Sequence, residues 1–397
     1  MTNTAPRIHF VDRPDDVGAA LSRVDTAVIG IDVERADAHR YHRRAALVQV
    51  GQGDNCVLFD AVALDELAAL NDFLDDERVA VLHAADNDLV PLARLGVLPD
   101  RIADTAVAAA LLGLPTGLET LLADFLDVTI EGDKSAFQRA DWEQRPLPDD
   151  MAAYAAGDVV HLPELWSLLA DRLEDQGRTT WYEQELVARI ERMESDDRSW
   201  RKVKRIGRMS DEQRTIVRVV WEAREELART HDLAPNHLLR DDAIVRIALD
   251  PPTTEAALLR RAQRRHPPIR DHVAALLEAV ARGRNAEPES TRPDGQRPMS
   301  DVDRAAIDAL RKARAEVAEQ LGIDAGVLCP ARPLASAVMS DPEDAAALCA
   351  KAELRPWQAQ LLAEPLWNAY QATINEARHD ASLPVTPTTA PSPPETA

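Results

Sequence analysis

The chain is short of cysteine, of aromatics and of positive charge. Its three cysteines, Cys56, Cys329 and Cys349, are scattered and form no CxxC pair, so neither a disulfide framework nor a zinc site is indicated. No apolar run approaches the length of a membrane span, and the opening MTNTAPRIHF lacks the basic-then-apolar layout of a signal peptide. A cytosolic enzyme with no membrane partner is expected. No GxxxxGK[ST] occurs, which excludes an attached ATP-driven motor. Aromatics make up 4% of the residues, and 68 acids against 46 bases give a net charge of −22. That balance argues at first against nucleic acid, whose binders usually show a basic footprint.

The deficit of positive charge is not uniform. Residues 201–208, RKVKRIGR, hold five bases and no acid, and residues 201–284 hold 18 Lys/Arg against 12 Asp/Glu. A basic surface on an acidic protein discriminates better than the total. Length points to two or three domains, since 397 residues exceed one ordinary core. In the first 200 residues, short β-branched runs at 27–33, 47–50, 57–59 and 79–83 predict strands, the first three joined as hairpins. Helical spacing predicts helices over 64–74, 89–95, 105–112, 118–126 and 149–173. This is a mixed α/β layer domain over 1–200. A helical block broken at Pro235, Pro251–Pro252 and Pro267–Pro268 follows at 209–284 and a second at 299–376, the two separated by the polar segment NAEPESTRPDGQRP. The tail 377–397 is Pro/Thr-rich and is expected to be disordered. Ala223–Ala228 matches Ala313–Ala318 at a 90-residue offset, so the second helical block reads as a degenerate repeat of the first.

Four side chains carry the chemistry. Tyr154 and Asp158, in YAAGD, lie four apart, which stacks them on one face of a helix. Asp32 and Glu34, in DVE, lie two apart, which puts both on one face of a strand. Three carboxylates and a phenol could therefore meet at one point. Hard divalent cations such as Mg²⁺ or Mn²⁺ favour such an oxygen cluster and leave room for phosphate and water. Alone, a DxE on a strand is most often a solvated face, and a YxxxD on a helix is usually packing plus a surface acid.

Read in order with HAADNDL (residues 83–89) between them, these motifs resemble the tyrosine-bearing branch of the DEDD exonucleases, and specifically the ribonuclease D family. Trp142, Arg145, Pro146 and Leu147 match the family's lead-in to the last motif. Gln49 in LVQV and the pair Asp104–Thr105 sit where the family has comparable residues. The resemblance covers nearly the whole chain. It implies a ribonuclease H-like α/β exonuclease domain followed by two all-α HRDC-type bundles (the helicase and RNase D C-terminal module). It also implies catalysis by two divalent ions that clamp the attacking and leaving oxygens of an in-line displacement. Asp32 would bridge the ions, Glu34 and Asp158 would complete one shell, and Asp88 would hold the second. Tyr154 would orient the attacking water rather than deprotonate it alone, because a free phenol titrates near 10. Family spacing selects Asp88 over Asp86, which is expected as the N-cap of the next helix. His83 and His161 are expected to pack rather than ligate.

Several residues suggest a path for substrate. Lys134, Gln138 and Arg139 precede Trp142 and could line a nucleic-acid strand; a solvated loop would look the same. Arg35, Arg40, Tyr41, His42, Arg43 and Arg44 form a basic, aromatic-bearing loop suited to phosphate contact and to stacking of a base on Tyr41. Arg201, Lys202, Lys204 and Arg205 supply the basic entrance to the first helical block, and Gln49 is taken as a further substrate contact. The resulting expectation is a monomeric 3′→5′ exoribonuclease acting on RNA with a free 3′ end, such as tRNA precursors. The alternatives are a 3′→5′ DNA exonuclease, because the same carboxylates serve both sugars, and a binding module without activity. The mark of an inactive module, a missing carboxylate, is not present.

Overall fold

Residues 47–50, apart from Gln49, and 57–59 are apolar on both faces, and they become the interior strands of a sheet covered on both sides. The computed structural model describes residues 6–36, 39–42, 44–74, 77–129, 134–137, 140–193, 198–263, 267–288 and 299–382. The first block contains β1 (Arg7–Val11), α1 (Val17–Leu21), β2 (Val28–Arg35), β3 (Ala45–Gln52), β4 (Asn55–Asp60), α2 (Ala68–Phe73), β5 (Val79–Leu82), α3 (Leu89–Arg94) and β6 (Ile102–Asp104). Six helices follow: α4 (Thr105–Leu111), α5 (Leu118–Leu126), α6 (Lys134–Phe137), α7 (Asp149–Val160), α8 (Leu162–Asp175) and α9 (Thr179–Met193).

The sheet runs β1-β4-β3-β2-β5-β6. β2, β3 and β4 are consecutive antiparallel neighbours, as the short connections predict. The outer pairings β1/β4, β2/β5 and β5/β6 are parallel. Ile29, Ile31, Val48, Val50, Val57 and Phe59 are all fully buried between the helices.

Some elements differ from expectation. β1, at a sheet edge, is exposed or half-buried except at Val11 and shows no alternation, and β6 has three residues, so neither has enough periodicity to announce itself. The helix expected over 64–74 is confined to 68–73, although Leu64 and Leu67 are still buried. The single helix expected over 149–173 divides at His161 into α7 and α8. Pro163 explains the break: its ring removes the N–H that would continue the first helix, and its fixed φ suits the first turn of the second.

The helical block after residue 200 comprises α10 (Asp211–Thr230), α11 (Pro235–Leu238), α12 (Asp241–Leu249), α13 (Glu255–Ala262), α14 (Pro267–Asp271) and α15 (Val273–Asn285). Trp200, at the end of the expected first domain, and Val203 and Ile206, between the expected domains, belong to the core of this bundle. Residues 1–294 form one compact unit, so the exonuclease-type block and the first helical block are not separate bodies.

The second unit, 295–397, holds α16 (Asp301–Leu321), α17 (Ala325–Leu328), α18 (Ala331–Met339), α19 (Ala345–Lys351) and α20 (Pro356–Ser382). Specific bonds recur 90 residues apart. Ser210 and Gln213 make a capping box at the start of α10, and Ser300 and Asp303 make one at the start of α16. Arg224 donates to the Leu239 carbonyl at 2.9 Å, and Arg314 donates to the Cys329 carbonyl at 2.7 Å. Thr254 caps α13, and Asp344 caps α19. Helix α20 continues to Ser382, beyond the expected end at 376, and residues 383–397 of the expected tail lie outside the described residues. Among the described residues, no helix is long and apolar enough to cross a membrane.

Gly30 and Gly51 pair across β2 and β3, and both face α7. A Cβ on Gly30 would land on the Val159 carbonyl oxygen and within 3.1 Å of the Leu162 Cβ. A Cβ on Gly51 would meet the Val159 side chain at 2.6 Å and the Val160 backbone nitrogen at 3.1 Å. The Gly53 N–H also donates to the Val160 carbonyl at 3.1 Å. Backbone cannot step aside as a side chain can. Gly30→Ala should therefore destabilise by roughly 1–3 kcal/mol, the usual range for overpacking, and Gly51→Ala by less. Adding Val159→Ala should restore stability to Gly51→Ala but not to Gly30→Ala. Thermal melts of the four variants test this; a smaller loss in Gly30→Ala than in Gly51→Ala contradicts it.

Candidate active site

Asp32 and Glu34 occupy alternate positions of β2, on the same face as Gly30 and hence under α7. The β2/β3 register shifts between Glu34 and Arg35, so the strand departs from regular pairing just beyond the second acid. Asp158 immediately precedes Val159, the residue whose carbonyl rests over Gly30. The close approach of helix to sheet thus delivers its carboxylate to the strand acids. One carboxylate oxygen from each of Asp32, Glu34 and Asp158 lies within 4.8 Å of the other two, and all three residues are half-buried.

Such crowding is electrostatically costly. Burial pushes the Asp32 carboxyl up to about 6, against the opposing Val33 N–H bond and the Arg35 charge. Glu34 is pushed up to about 9, first by burial, then by the charges of Asp32 and Asp158. Asp88 is buried at the start of α3 and lies outside the three-acid cluster. Burial raises its carboxyl well above the usual range, and the charges of Asp32 and Glu34 raise it further. Carboxylates that resist joint ionisation and present hard oxygen donors to one point suit a divalent cation, which replaces their protons.

Tyr154 lies one turn before Asp158, is 7% exposed, and donates its hydroxyl proton to that carboxylate. Burial and then the charges of Asp158 and Glu34 push its phenol far above the ordinary value. The group remains protonated at any working pH, which leaves it a donor and an acceptor but not a base. Its ring stacks on Phe137 at 4.7 Å and lies 6.4 Å from the Trp142 ring.

The turn that presents Asp88 is held by Asp104. This fully buried carboxylate accepts from the N–H groups of Ala84 and Ala85 at 3.1 and 3.0 Å, and it caps α4 through Ala106 and Val107. The Asp104 N–H in turn donates to the Tyr182 hydroxyl at 2.8 Å. Thr105 donates to the Leu82 carbonyl, so the His83 Nδ1, 2.8 Å from the Thr105 hydroxyl, acts as donor. Asp86 is not an N-cap. It lies inside a 3-10 turn over Ala85–Asn87 and forms an ion pair with Arg189 of α9 at 3.6 Å. His161 sits at the break between α7 and α8, half-buried, its imidazole held below its ordinary value by burial.

Two proposed substrate contacts need correction. Tyr41 is not a free stacking platform. It is 9% exposed, with the Arg198 guanidinium 4.3 Å from its ring centroid and that of Arg229 5.6 Å away. The described residues beside it bond to the first helical block. Asp232 accepts from the His42 N–H at 3.1 Å and pairs with Arg40 and Arg44 at 3.4 and 3.7 Å, while Ala234 donates its N–H to the His39 carbonyl. Gln49 pairs with Asp32 in register and is fully buried, with neither amide atom hydrogen-bonded among the described residues. It belongs to the interior rather than to a substrate surface. Arg201, Lys202, Lys204 and Arg205 are exposed. Arg43, Gln138, Arg139 and the side chain of Lys134 lie outside the described residues. Phe137 and Tyr182 were not anticipated: nothing in the sequence around either signals the ring or backbone that it meets.

The family model described as 3′-5′ exonuclease matches residues 8–174, and the one described as HRDC domain matches residues 213–280. The chain is 30% identical over 380 residues to the ribonuclease D of Pseudomonas paraeruginosa, covering 93% of this chain and 99% of that one. It is 32% identical over 279 residues to the ribonuclease D of Gluconacetobacter diazotrophicus, covering 68% of this chain and 70% of that one. Among solved structures, Escherichia coli RNase D shares the fold with a TM-score of 0.73 at 24% identity, covering 92% of this chain and 99% of that one. An exonuclease domain of this type uses divalent metal. With a curated relative matched almost end to end, this chain belongs to the ribonuclease D family.

Proposed function

We propose that this protein is a metal-dependent 3′→5′ exoribonuclease in which Asp32, Glu34, Asp88, Tyr154 and Asp158 perform the chemistry. The observation that carries the reading is the convergence of three carboxylates from β2 and α7 beside a phenol hydrogen-bonded to one of them. Two divalent ions, Mg²⁺ or Mn²⁺, held by Asp32, Glu34, Asp158 and Asp88, would supply an acidified water and stabilise the departing 3′ oxygen. Asp32 and Glu34 hold their charges at a fixed spacing because a strand sets it. Asp158 accepts the Tyr154 proton, which leaves the phenol oxygen's lone pairs free to accept from the attacking water and aim it at phosphorus. Asp104 fixes the turn under Asp88, so the fourth carboxylate needs no reorganisation when substrate arrives.

RNA is the substrate class suggested by the ribonuclease D relatives, and precursors of tRNA with unprocessed 3′ ends are the proposed members of it. The exposed bases Arg201, Lys202, Lys204 and Arg205 would hold the RNA backbone. The working form is proposed to be a monomer. The experiment that separates RNA from DNA activity, and both from a binding module, is digestion of matched oligonucleotides with free and blocked 3′ ends. Stepwise shortening of the free-ended RNA that stops in EDTA supports the reading. Shortening of DNA alone, or none of either, overturns it.

Asp32→Asn should reduce trimming to background while leaving RNA binding in EDTA nearly intact, and Tyr154→Phe should slow trimming roughly 10²-fold. Retained turnover in the first, or a near-normal rate in the second, sinks the corresponding role. Protons and metal should also compete. Glu34 in the folded protein titrates at about 9 rather than the ordinary 4.5. Between these values the folded state holds a proton that the unfolded chain has released, so stability falls as pH rises. In EDTA the melting temperature should decline from about pH 5 to about pH 8, Mn²⁺ should raise it more at the higher pH, and Glu34→Gln should flatten the decline. A melting temperature in EDTA that rises with pH contradicts this. Finally, charge reversal of Arg201, Lys202, Lys204 and Arg205 should weaken RNA binding and flatten its salt dependence, since each lost phosphate contact removes released counterions. An unchanged slope of binding against salt would place the RNA elsewhere.

A further inference from the structure

Arg145 uses every hydrogen-bond donor it has. Its Nε donates to Asp60 Oδ2 at 2.7 Å. One terminal nitrogen donates to Asp60 Oδ1 at 2.6 Å and to the Ala46 carbonyl at 2.9 Å. The other donates to the carbonyls of Trp142 and Gln144, both at 2.8 Å. A guanidinium has five N–H groups, and here each has an acceptor. Asp60, 3% exposed at the end of β4, also accepts the N–H groups of Val62 and Ala63. Burial opposes charge on Asp60, yet the Arg145 bonds and the turn N–H groups outweigh it and hold the carboxyl below its usual value. The pair therefore bolts the segment before α7 to the ends of two sheet strands.

What the bolted segment touches is the catalytic tyrosine. Arg145 grips the Trp142 carbonyl; the Trp142 indole N–H donates to the Phe137 carbonyl at 3.0 Å; the Phe137 ring stacks on Tyr154 at 4.7 Å with 27° between planes. Trp142, itself 4% exposed, brackets the same ring. The phenol oxygen lies on the axis of the ring, so χ1 decides where it points, and a helix leaves more than one staggered χ1 well open. The bracketing rings fix that direction, toward Asp158.

We infer that Arg145, clamped by Asp60, is a positioning residue for the Tyr154 hydroxyl, acting through Trp142 and Phe137. The inference rests on the role given to Tyr154 above. A simple fold staple would lower stability and spread its effect over every step. A positioning residue should instead cost turnover, and only while the hydroxyl is there to be aimed.

The test is a double-mutant cycle of Arg145→Lys with Tyr154→Phe, in the full chain, with a 3′-labelled RNA oligonucleotide and Mn²⁺. Lysine keeps the charge but has three donors and no fork. Arg145→Lys should lower kcat roughly 10- to 100-fold, the scale of a misplaced reacting group, with KM changed less than about twofold. In the Tyr154→Phe background the same change should cost less than about twofold. Phe137→Leu leaves the Asp60–Arg145 pair in place and should reproduce both results, which keeps the inference testable if Arg145→Lys does not fold. Equal kcat losses in both backgrounds, or a wild-type kcat in Phe137→Leu, overturn the positioning role while leaving that of Tyr154 standing. A wild-type rate in Tyr154→Phe alone overturns the tyrosine's role, and this inference with it.

Discussion

The contact between α7 and the sheet governs everything at the site. Two facing strand positions, Gly30 and Gly51, carry no side chain, and the backbone of Val159 occupies the space a Cβ would need. The helix therefore rides closer to β2 and β3 than an ordinary layer packing allows. Asp158 is brought within oxygen-to-oxygen reach of Asp32 and Glu34, and Tyr154, one turn earlier, comes with it. A helix a few ångströms higher would leave the same four residues as a strand pair and a helix pair with no common centre.

That proximity creates a debt of charge. Carboxylates side by side raise one another's proton affinity, and burial raises that of both Asp32 and Glu34. The Arg35 charge offsets part of this at both Asp32 and Glu34. The surrounding structure holds the neighbours in place, so that the acids cannot drift apart. Asp104 under the Asp88 turn and Asp60 under the tryptophan loop serve that purpose from opposite sides of the site.

Much of this was legible in the sequence because periodicity is local. A spacing of two on a strand and of four on a helix puts Asp32 with Glu34 and Tyr154 with Asp158, and the β2–β4 hairpins follow from short polar connections between apolar runs. What was not legible depends on partners distant in the chain. The Tyr41 loop reads as a nucleic-acid surface, rich in arginine with an aromatic among them, yet Asp232, 190 residues beyond His42, claims it. Gln49 reads as a polar contact for substrate, but its strand is interior and its register fixes it beside Asp32. Pro163 could have announced the break between α7 and α8; the alanine-rich pattern on either side hid it. The strands β1 and β6 escaped for a different reason, being too short or too mixed to show a period.

The clasp at Asp232 has a bearing on how this enzyme can be divided. Its carboxylate, at a left-handed turn between α10 and α11, collects a backbone N–H and two arginines from the loop that leaves β2 just after Glu34. A nuclease fragment ending near residue 200 would keep the arginines and lose the acid. It would also strip Tyr41 of Arg229, baring an aromatic face within a few residues of β2. The first helical block is in that sense a missing wall of the exonuclease domain, and the natural seam for cutting the protein lies after it.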